Sequence, residues 1–283
     1  MVTRRFNKSI EGGSVSYQLI ASGVAGEGAT SRRLLLLHGA GVAGELTWRF
    51  VIPYLNHWDE ILVPDLPAMG DSVWSSSNPP GFSDYLISCK DLLRELGWLS
   101  FDLVGYSFGG LLAMQLEYHF ADDFSVGSMV LIEPASLLSV DRQVLLSRAS
   151  AYEAVGRDIL NARGSDKPLI RFLDLVSPQR LTKTDSLTLE RLRNNAFGLA
   201  AGVLAVAESL QQSPDFYVNW RPSVPGVGIV GGLSPYAMHD RHRQIARESG
   251  EWQYESIPNT DHSLVYVRPR EVARLINSLY KED

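Results

Sequence analysis

Cysteine is almost absent from this chain. Cys89 is the one cysteine among 283 residues, so no intramolecular disulfide framework can form. It lies in "YLISCKDLLREL", a helical pattern in which a small buried thiol is expected, and such cysteine use is compatible with a reducing compartment. Long apolar runs are lacking too, and none could span a bilayer. The segment "MVTRRFNKSIEGGSVSY" has two arginines but no apolar stretch behind them, so no secretion signal is read there. Basic excess is also missing. The formal net charge is −6 with Lys and Arg scattered, which argues against a nucleic-acid or membrane partner. A cytoplasmic protein, monomer or homodimer, is expected.

What remains is ordinary globular material, 45% hydrophobic and 20% charged. A chain of this size hides roughly three quarters of its unfolded surface. "SVSYQLIAS" alternates as a half-buried strand does, and "RRLLLLHG", "EILVPDLP", "FDLVGYS" and "GSMVLIEP" are short apolar runs ending in turn residues. "GVAGEGATS" reads as a loop by composition. Helical patterns around Trp48 to Asn56, in "GFSDYLISCKDLLRELG" and in "FGGLLAMQLEYHF" separate the runs. Strict alternation implies an α/β fold: a mostly parallel central sheet with helices on both faces. Right-handed crossovers bring the strand C-termini to one edge, where ligands bind.

After Pro134 the texture changes. Residues 136–220 are helix-rich without a clear strand; the alternation resumes with "PGVGIVGG", "EWQYESIP" and a last helix "PREVARLINSLYKE". The expected organisation is a core of residues 1–135 and 221–283, with a helical cap of residues 136–220 inserted after the sixth strand.

"Gly105-Tyr106-Ser107-Phe108-Gly109" fits G-x-S-x-G between a predicted strand and a predicted helix. Glycines two places either side let strand and helix approach at a tight turn, which exposes the Ser107 hydroxyl beside helix N–H groups. A simple helix N-cap is the alternative role. "HDRH", with His239 and His242 three apart, could place two imidazoles on one face, but no further ligand set accompanies it. No metal and no cofactor are expected.

Four stations occur in order: "HGAG" at His38 to Gly41, "DLPAMGDS" at Asp65 to Ser72, "GYSFGG" at Gly105 to Gly110, and "NTDHS" around His262. With these the chain resembles the α/β-hydrolase superfamily over essentially its whole length. The resemblance implies a Ser107 nucleophile, a His262 general base, oxyanion N–H groups from Ala40 and Phe108, and a supporting role for His38. Asp65 and Asp71 read as loop-structuring residues. The third triad member departs from the usual pattern, since "GGLSP" puts Ser234 where an aspartate is expected. Glu133, ending "VLIEP", is the preferred acid; Asp240 and Asp261 are alternatives. Ala68 stands where a glycine is common, which suggests a different loop path. Trp48 and Tyr106 are expected to offer aromatic surface to substrate, with "NNAFGLAAGVLAVAESL" in part lining the pocket. The implied reaction is serine hydrolysis of an ester, lactone, thioester or C–C bond next to a carbonyl, in a small hydrophobic or aromatic substrate. Alternatives are a lyase or cyclase using the same residues for acid–base chemistry, and a non-catalytic ligand-binding member of the fold.

Overall fold

The computed structural model describes residues 1–22, 31–162, 164–180 and 185–280. Most of "GVAGEGATS", residues 23–30, lies outside them. Among the described residues one nine-stranded sheet forms the centre, in the order β1 (Val2–Ile10), β2 (Gly13–Ala21), β4 (Glu60–Pro64), β3 (Arg33–Leu37), β6 (Ser100–Tyr106), β7 (Ser125–Ile132), β8 (Gly226–Gly231), β9 (Trp252–Ile257). The two-residue β5 (Val73–Trp74) pairs with β2. From β4 to β9 the neighbours run parallel, whereas β1, β2 and β4 pair antiparallel.

The leucine run of β3 shows why these strands read as continuous apolar segments. Leu35 and Leu37 enter one core cluster, and Leu34 and Leu36 enter the other, so alternate side chains serve opposite faces of a sheet covered twice. On the first face pack α2 (Phe82–Glu95) and α3 (Phe108–His119). On the second lie α1 (Gly44–Trp48) and α11 (Pro269–Asn277). Cys89, on α2, is buried, and burial pushes its thiol up to about 12, which leaves it unreactive at neutral pH.

Among the described residues five helices lie between β7 and β8: α4 (Arg142–Leu160), α5 (Lys167–Val176), α6 (Asp185–Asn194), α7 (Ala196–Gln212) and α8 (Pro214–Asn219). In the structure they follow the seventh strand, not the sixth; the sequence patterns show five apolar runs before them, and the exposed β1 and the two-residue β5 are not among those runs. The outward face of β1 is polar and exposed, so it carries no apolar alternation to recognise. The apolar stretch of α7 packs against the sheet domain instead of facing open space. Gly198 and Gly202, one turn apart, let it approach so closely that an added Cβ would lie 2.3 Å from the Ala68 carbonyl and 2.8 Å from Ala40 Cβ. Arg241, buried on α9 (Tyr236–Glu248), ties α8 down by donating from Nη2 to the carbonyls of Val218 and Trp220 at 2.9 and 3.1 Å.

The neighbouring His242 is fully buried, and neither ring nitrogen meets a hydrogen-bond partner. Loss of solvation, with the charge of Arg241 adding, pushes its pKa down to about 3 from 6.5. The unfolded chain therefore takes up a proton here that the folded chain refuses. Stability is unaffected by His242 above pH 6.5 and declines as pH falls from about 6.5 toward about 3. Buried His38, also shifted down by desolvation, contributes in the same direction. His242→Leu should flatten the pH dependence of the urea midpoint over this range; an unchanged slope would remove His242 from the account.

Candidate active site

Parallel strands finish at one edge, and the predicted site residues follow those ends. His38 follows β3, Ser107 follows β6, Glu133 follows β7, Ser234 lies in the turn after β8, and His262 lies in the loop after β9. Register does the rest. Tyr106 is paired with Ile132 across β6 and β7, so Ser107 and Glu133 leave the sheet side by side.

Ser107 occupies φ 55°, ψ −114°, a strained conformation for a residue with a side chain. The turn leaves no room for side chains beside it. A Cβ on Gly105 would come within 2.3 Å of the Gly109 carbonyl oxygen, and one on Gly109 within 2.3 Å of the Leu37 carbonyl oxygen. The Ser107 carbonyl accepts from the N–H groups of Gly110, Leu111 and Ala135 at 3.0 to 3.2 Å, which holds the strained turn. The Phe108 N–H belongs to the first turn of α3, where no intrahelical carbonyl is available to it.

His262 Nε2 lies 2.9 Å from Ser107 Oγ, and its Nδ1 lies 2.7 Å from Glu133 Oε2. With Nδ1–H donating to the carboxylate, Nε2 is left to accept the Ser107 proton. Glu133 is completely buried and sits at φ 43°, again in the left-handed region. Its other oxygen, Oε1, accepts from the Gly231 N–H at 2.7 Å and from the Ser234 hydroxyl in a short contact. The serine that replaces the expected aspartate thus donates to the carboxylate supplied by the preceding strand. Gly231 also lets the histidine loop pass, since a Cβ there would meet the Asp261 carbonyl at 2.6 Å.

The alternative acids stand elsewhere. Asp240 is exposed on α9. Asp261 turns away from the imidazole: Oδ2 accepts from Ser177 Oγ at 2.8 Å, and Oδ1 accepts from the Ser263 N–H at 2.9 Å. Burial alone would raise its pKa, but these bonds and the nearby His262 bring it below the ordinary carboxylate value.

His38 is wholly buried, with Nδ1 2.7 Å from the Gly39 carbonyl and Nε2 accepting from the Leu66 N–H at 2.9 Å. It joins two loops and does not touch Ser107's hydroxyl partners. The loop it holds lies against the serine: a Cβ on Gly39 would sit 3.3 Å from Ser107 Cβ. Asp65 accepts from the N–H groups of Gly44 and Asp71 at 2.7 and 2.9 Å, a structuring role. Asp71 pairs with Arg5 at the surface. Ala68 has φ 63°, the region a glycine enters freely, so an alanine here carries local strain.

Three expectations about the cleft need correction. Trp48 is fully buried among Leu34, Val63 and other residues of the second core cluster, and does not reach the cleft. Its place on α1 directs it under the sheet. Tyr106 is also buried; its hydroxyl donates to the His262 carbonyl at 2.7 Å and its ring lies 5.2 Å from the imidazole, so it braces the histidine loop. The α7 stretch is core. The cleft beside Ser107 and His262 is narrow and is lined from α4 and α5 by Arg148, Tyr152, Leu175 and Val176, with Leu138 and Met238 nearby. Sequence reading missed these because helical core and helical lining share one apolar pattern; Arg148, a cation on an otherwise apolar side, was the available signal. His239 contacts Tyr254 through Nδ1 at 2.6 Å, and no group of three metal-binding side chains occurs among the described residues.

The model of the Alpha/beta hydrolase family matches residues 34–275. The chain belongs to that family. Solved alpha/beta hydrolase-like structures share the fold at low identity. A hydrolase from Pseudomonas aeruginosa PA01 has a TM-score of 0.71 at 19% identity, covering 98% of this chain and 97% of that one. The enol-lactonase from Burkholderia xenovorans LB400 has a TM-score of 0.71 at 15% identity, with 96% and 98% covered. A thermophilic esterase from Thermogutta terrifontis has a TM-score of 0.67 at 18% identity, with 97% of each chain covered. By sequence, the magnesium-chelatase 30 kDa subunit of Rhodobacter capsulatus is 36% identical over 83 residues, 29% of this chain and 29% of that protein. The match thus spans under a third of that relative. No helix among the described residues is long and apolar enough to cross a membrane.

Ser234→Ala removes one of the hydrogen bonds to a buried carboxylate. The hydrolase should lose stability by about 1–3 kcal/mol, measured by urea unfolding, because the carboxylate oxygen is left short of a donor. Unchanged stability would mean the serine is dispensable to Glu133.

Proposed function

We propose that this alpha/beta hydrolase is a serine hydrolase that cleaves a small acyl compound through an acyl-enzyme. The observation that carries the reading is the hydrogen-bonded chain from Ser107 through His262 to buried Glu133. Ser107 Oγ attacks the substrate carbonyl while its proton passes to His262 Nε2. Glu133 holds the imidazole in the required tautomer and balances the charge it gains. The oxyanion is held by the N–H groups of Phe108 and Ala40, in a place where the start of α3 favours negative charge. His262 returns the proton to the leaving group; a water molecule then repeats the attack on the acyl-enzyme, releasing the acid and restoring Ser107. Helices α4 and α5 of the 136–220 cap wall the cleft, and its apolar lining favours an acyl group with a hydrophobic body. Esters, lactones and thioesters all suit this machinery. A serine nucleophile does not suit haloalkane or epoxide opening, which a carboxylate nucleophile serves. The single buried cysteine fits a reducing, cytoplasmic setting.

Two measurements test the reading. Wild-type protein should be labelled once by a fluorophosphonate, seen by intact mass, and should turn over short-chain aryl esters; Ser107→Ala should lose both. Retained turnover in a folded Ser107→Ala would remove the nucleophile. Glu133→Gln should lower kcat by roughly a thousandfold, as expected for losing a triad carboxylate, whereas Asp240→Asn should leave it within about twofold. The reverse pattern would move the acid to Asp240.

A further inference from the structure

Among the described residues five cap arginines form ion pairs, whereas the exposed Arg191 and Arg148 form none with a carboxylate. Arg142, Arg157, Arg171, Arg180 and Arg193 each form an ion pair with a carboxylate, namely Asp215, Glu153, Asp158, Asp174 and Asp166. Four of these pairs are solvent-exposed, and the fifth, Arg180–Asp174, has a mostly buried arginine just past α5. Arg148, on α4, instead lines the cleft that contains Ser107 and His262. It is half-buried, and no carboxylate pairs with it among the described residues. Among the described residues its one hydrogen bond runs from Nη1 to the Leu175 carbonyl at 2.9 Å, at the end of α5.

A guanidinium carries five N–H donors in a planar fork, so one carbonyl leaves most of its donors unused. The acids within reach of the cleft do not take them. Glu133 is committed to His262, Gly231 and Ser234, and Asp261 to Ser177 and Ser263. Around Arg148 the lining is apolar: Leu138, Leu175, Val176 and Met238, with Tyr152 beside them. Keeping a cation partly out of water in such a wall is costly unless an anion meets it. The Leu175 bond engages Nη1 and leaves the other donors of a cleft-lining guanidinium available to an anion in the cleft.

We infer that Arg148 is a carboxylate-recognition residue, and that the substrate is an acyl compound carrying a free carboxylate on an apolar body. The inference rests on the serine-hydrolase reading for its reaction, but not for its binding site. Arg148 would form a bidentate pair with the carboxylate while the remainder of the substrate lies along Leu138, Leu175 and Val176 toward Ser107. Discrimination follows from the pair. A neutral isostere leaves the guanidinium desolvated and unmatched, the situation in which polar sites reject analogues most strongly.

The experiment compares matched substrates. One pair places the carboxylate on the acyl side, mono-(4-nitrophenyl) adipate against 4-nitrophenyl hexanoate. The other places it on the leaving group, 4-acetoxybenzoate against methyl 4-acetoxybenzoate. In wild type, kcat/KM for the charged member of at least one pair should exceed that of the neutral member by roughly ten- to a hundredfold. In Arg148→Met this ratio should collapse toward one, chiefly through KM, and Arg148→Lys should restore part of it. No preference in wild type, or an equal loss on charged and neutral members in Arg148→Met, would overturn the assignment; the second result would leave Arg148 as a brace for α5.

A ligand-only arm separates this inference from the reaction. Adipate, benzoate and inorganic phosphate are each titrated into folded wild-type and Arg148→Met protein, with the melting temperature as readout. Stabilisation of wild type by adipate or benzoate, absent in Arg148→Met, supports the carboxylate site even if Ser107→Ala shows that no ester chemistry occurs. Stabilisation by phosphate alone, or by none of the three, would overturn it.

Discussion

A completely buried carboxylate is tolerable only if every oxygen is answered, and Glu133 imposes that condition on three segments of the chain. Its oxygens accept from His262 on the loop after β9, from the Gly231 N–H at the end of β8, and from the Ser234 hydroxyl in the turn beyond. Removing any one donor would leave a desolvated charge short of a partner. The glutamate's own left-handed backbone, φ 43°, is the local strain accepted to turn the side chain inward. Placement of His262, and through it the alignment of Ser107, depends on this cluster.

The sheet makes the cluster possible. Five neighbouring strands, β3, β6, β7, β8 and β9, run parallel, so the residues following each meet at one edge. Steric exclusion sharpens the placement: Gly105 and Gly109 bring β6 and α3 together, Gly39 brings the "HGAG" loop onto the serine, and Gly231 admits the histidine loop. Tyr106 completes the support by bonding the His262 carbonyl from beneath. The chemistry is thus held by backbone positions that tolerate no side chain and by one tyrosine that is itself core.

The helices between β7 and β8 divide their labour. α7, with Gly198 and Gly202 on one face, presses into the loops around Ala40 and Ala68 and acts as part of the hydrophobic core. α4 and α5 supply the cleft wall, Arg148 included. Ser177, just past α5, bonds Asp261 next to the histidine, so the helical insertion and the histidine loop are coupled directly. Wall and support come from the same insertion, yet they obey different demands. Support requires close approach by small residues, and the wall requires surface that water or a ligand can reach.

Much of this was legible in the linear chain because the physics behind it is local. Apolar runs of strand length alternating with helical periodicity specify a doubly covered parallel sheet, and a serine between spaced glycines at a strand–helix junction specifies a strained, outward hydroxyl. Order along the chain singled out His262 and His38 for different roles. Which carboxylate meets His262 needed more, because Glu133, Asp240 and Asp261 are all carboxylates in plausible loops, and only the register of β7 against β8 and the burial of Glu133 separate them. Trp48 and Tyr106 misled for the same reason: an aromatic residue near a motif in sequence can point to either side of a sheet, and both point into the core. Which cationic side chain faces the cleft was only faintly marked: Arg148 falls on the otherwise apolar side of α4, but what lies opposite that side is set by the fold. Residue types and periodicity determined the fold and the strained serine turn; side-chain direction, and with it which carboxylate meets His262 and what walls the cleft, was decided by long-range packing, because burial and pairing are properties of the folded neighbourhood and not of the residue.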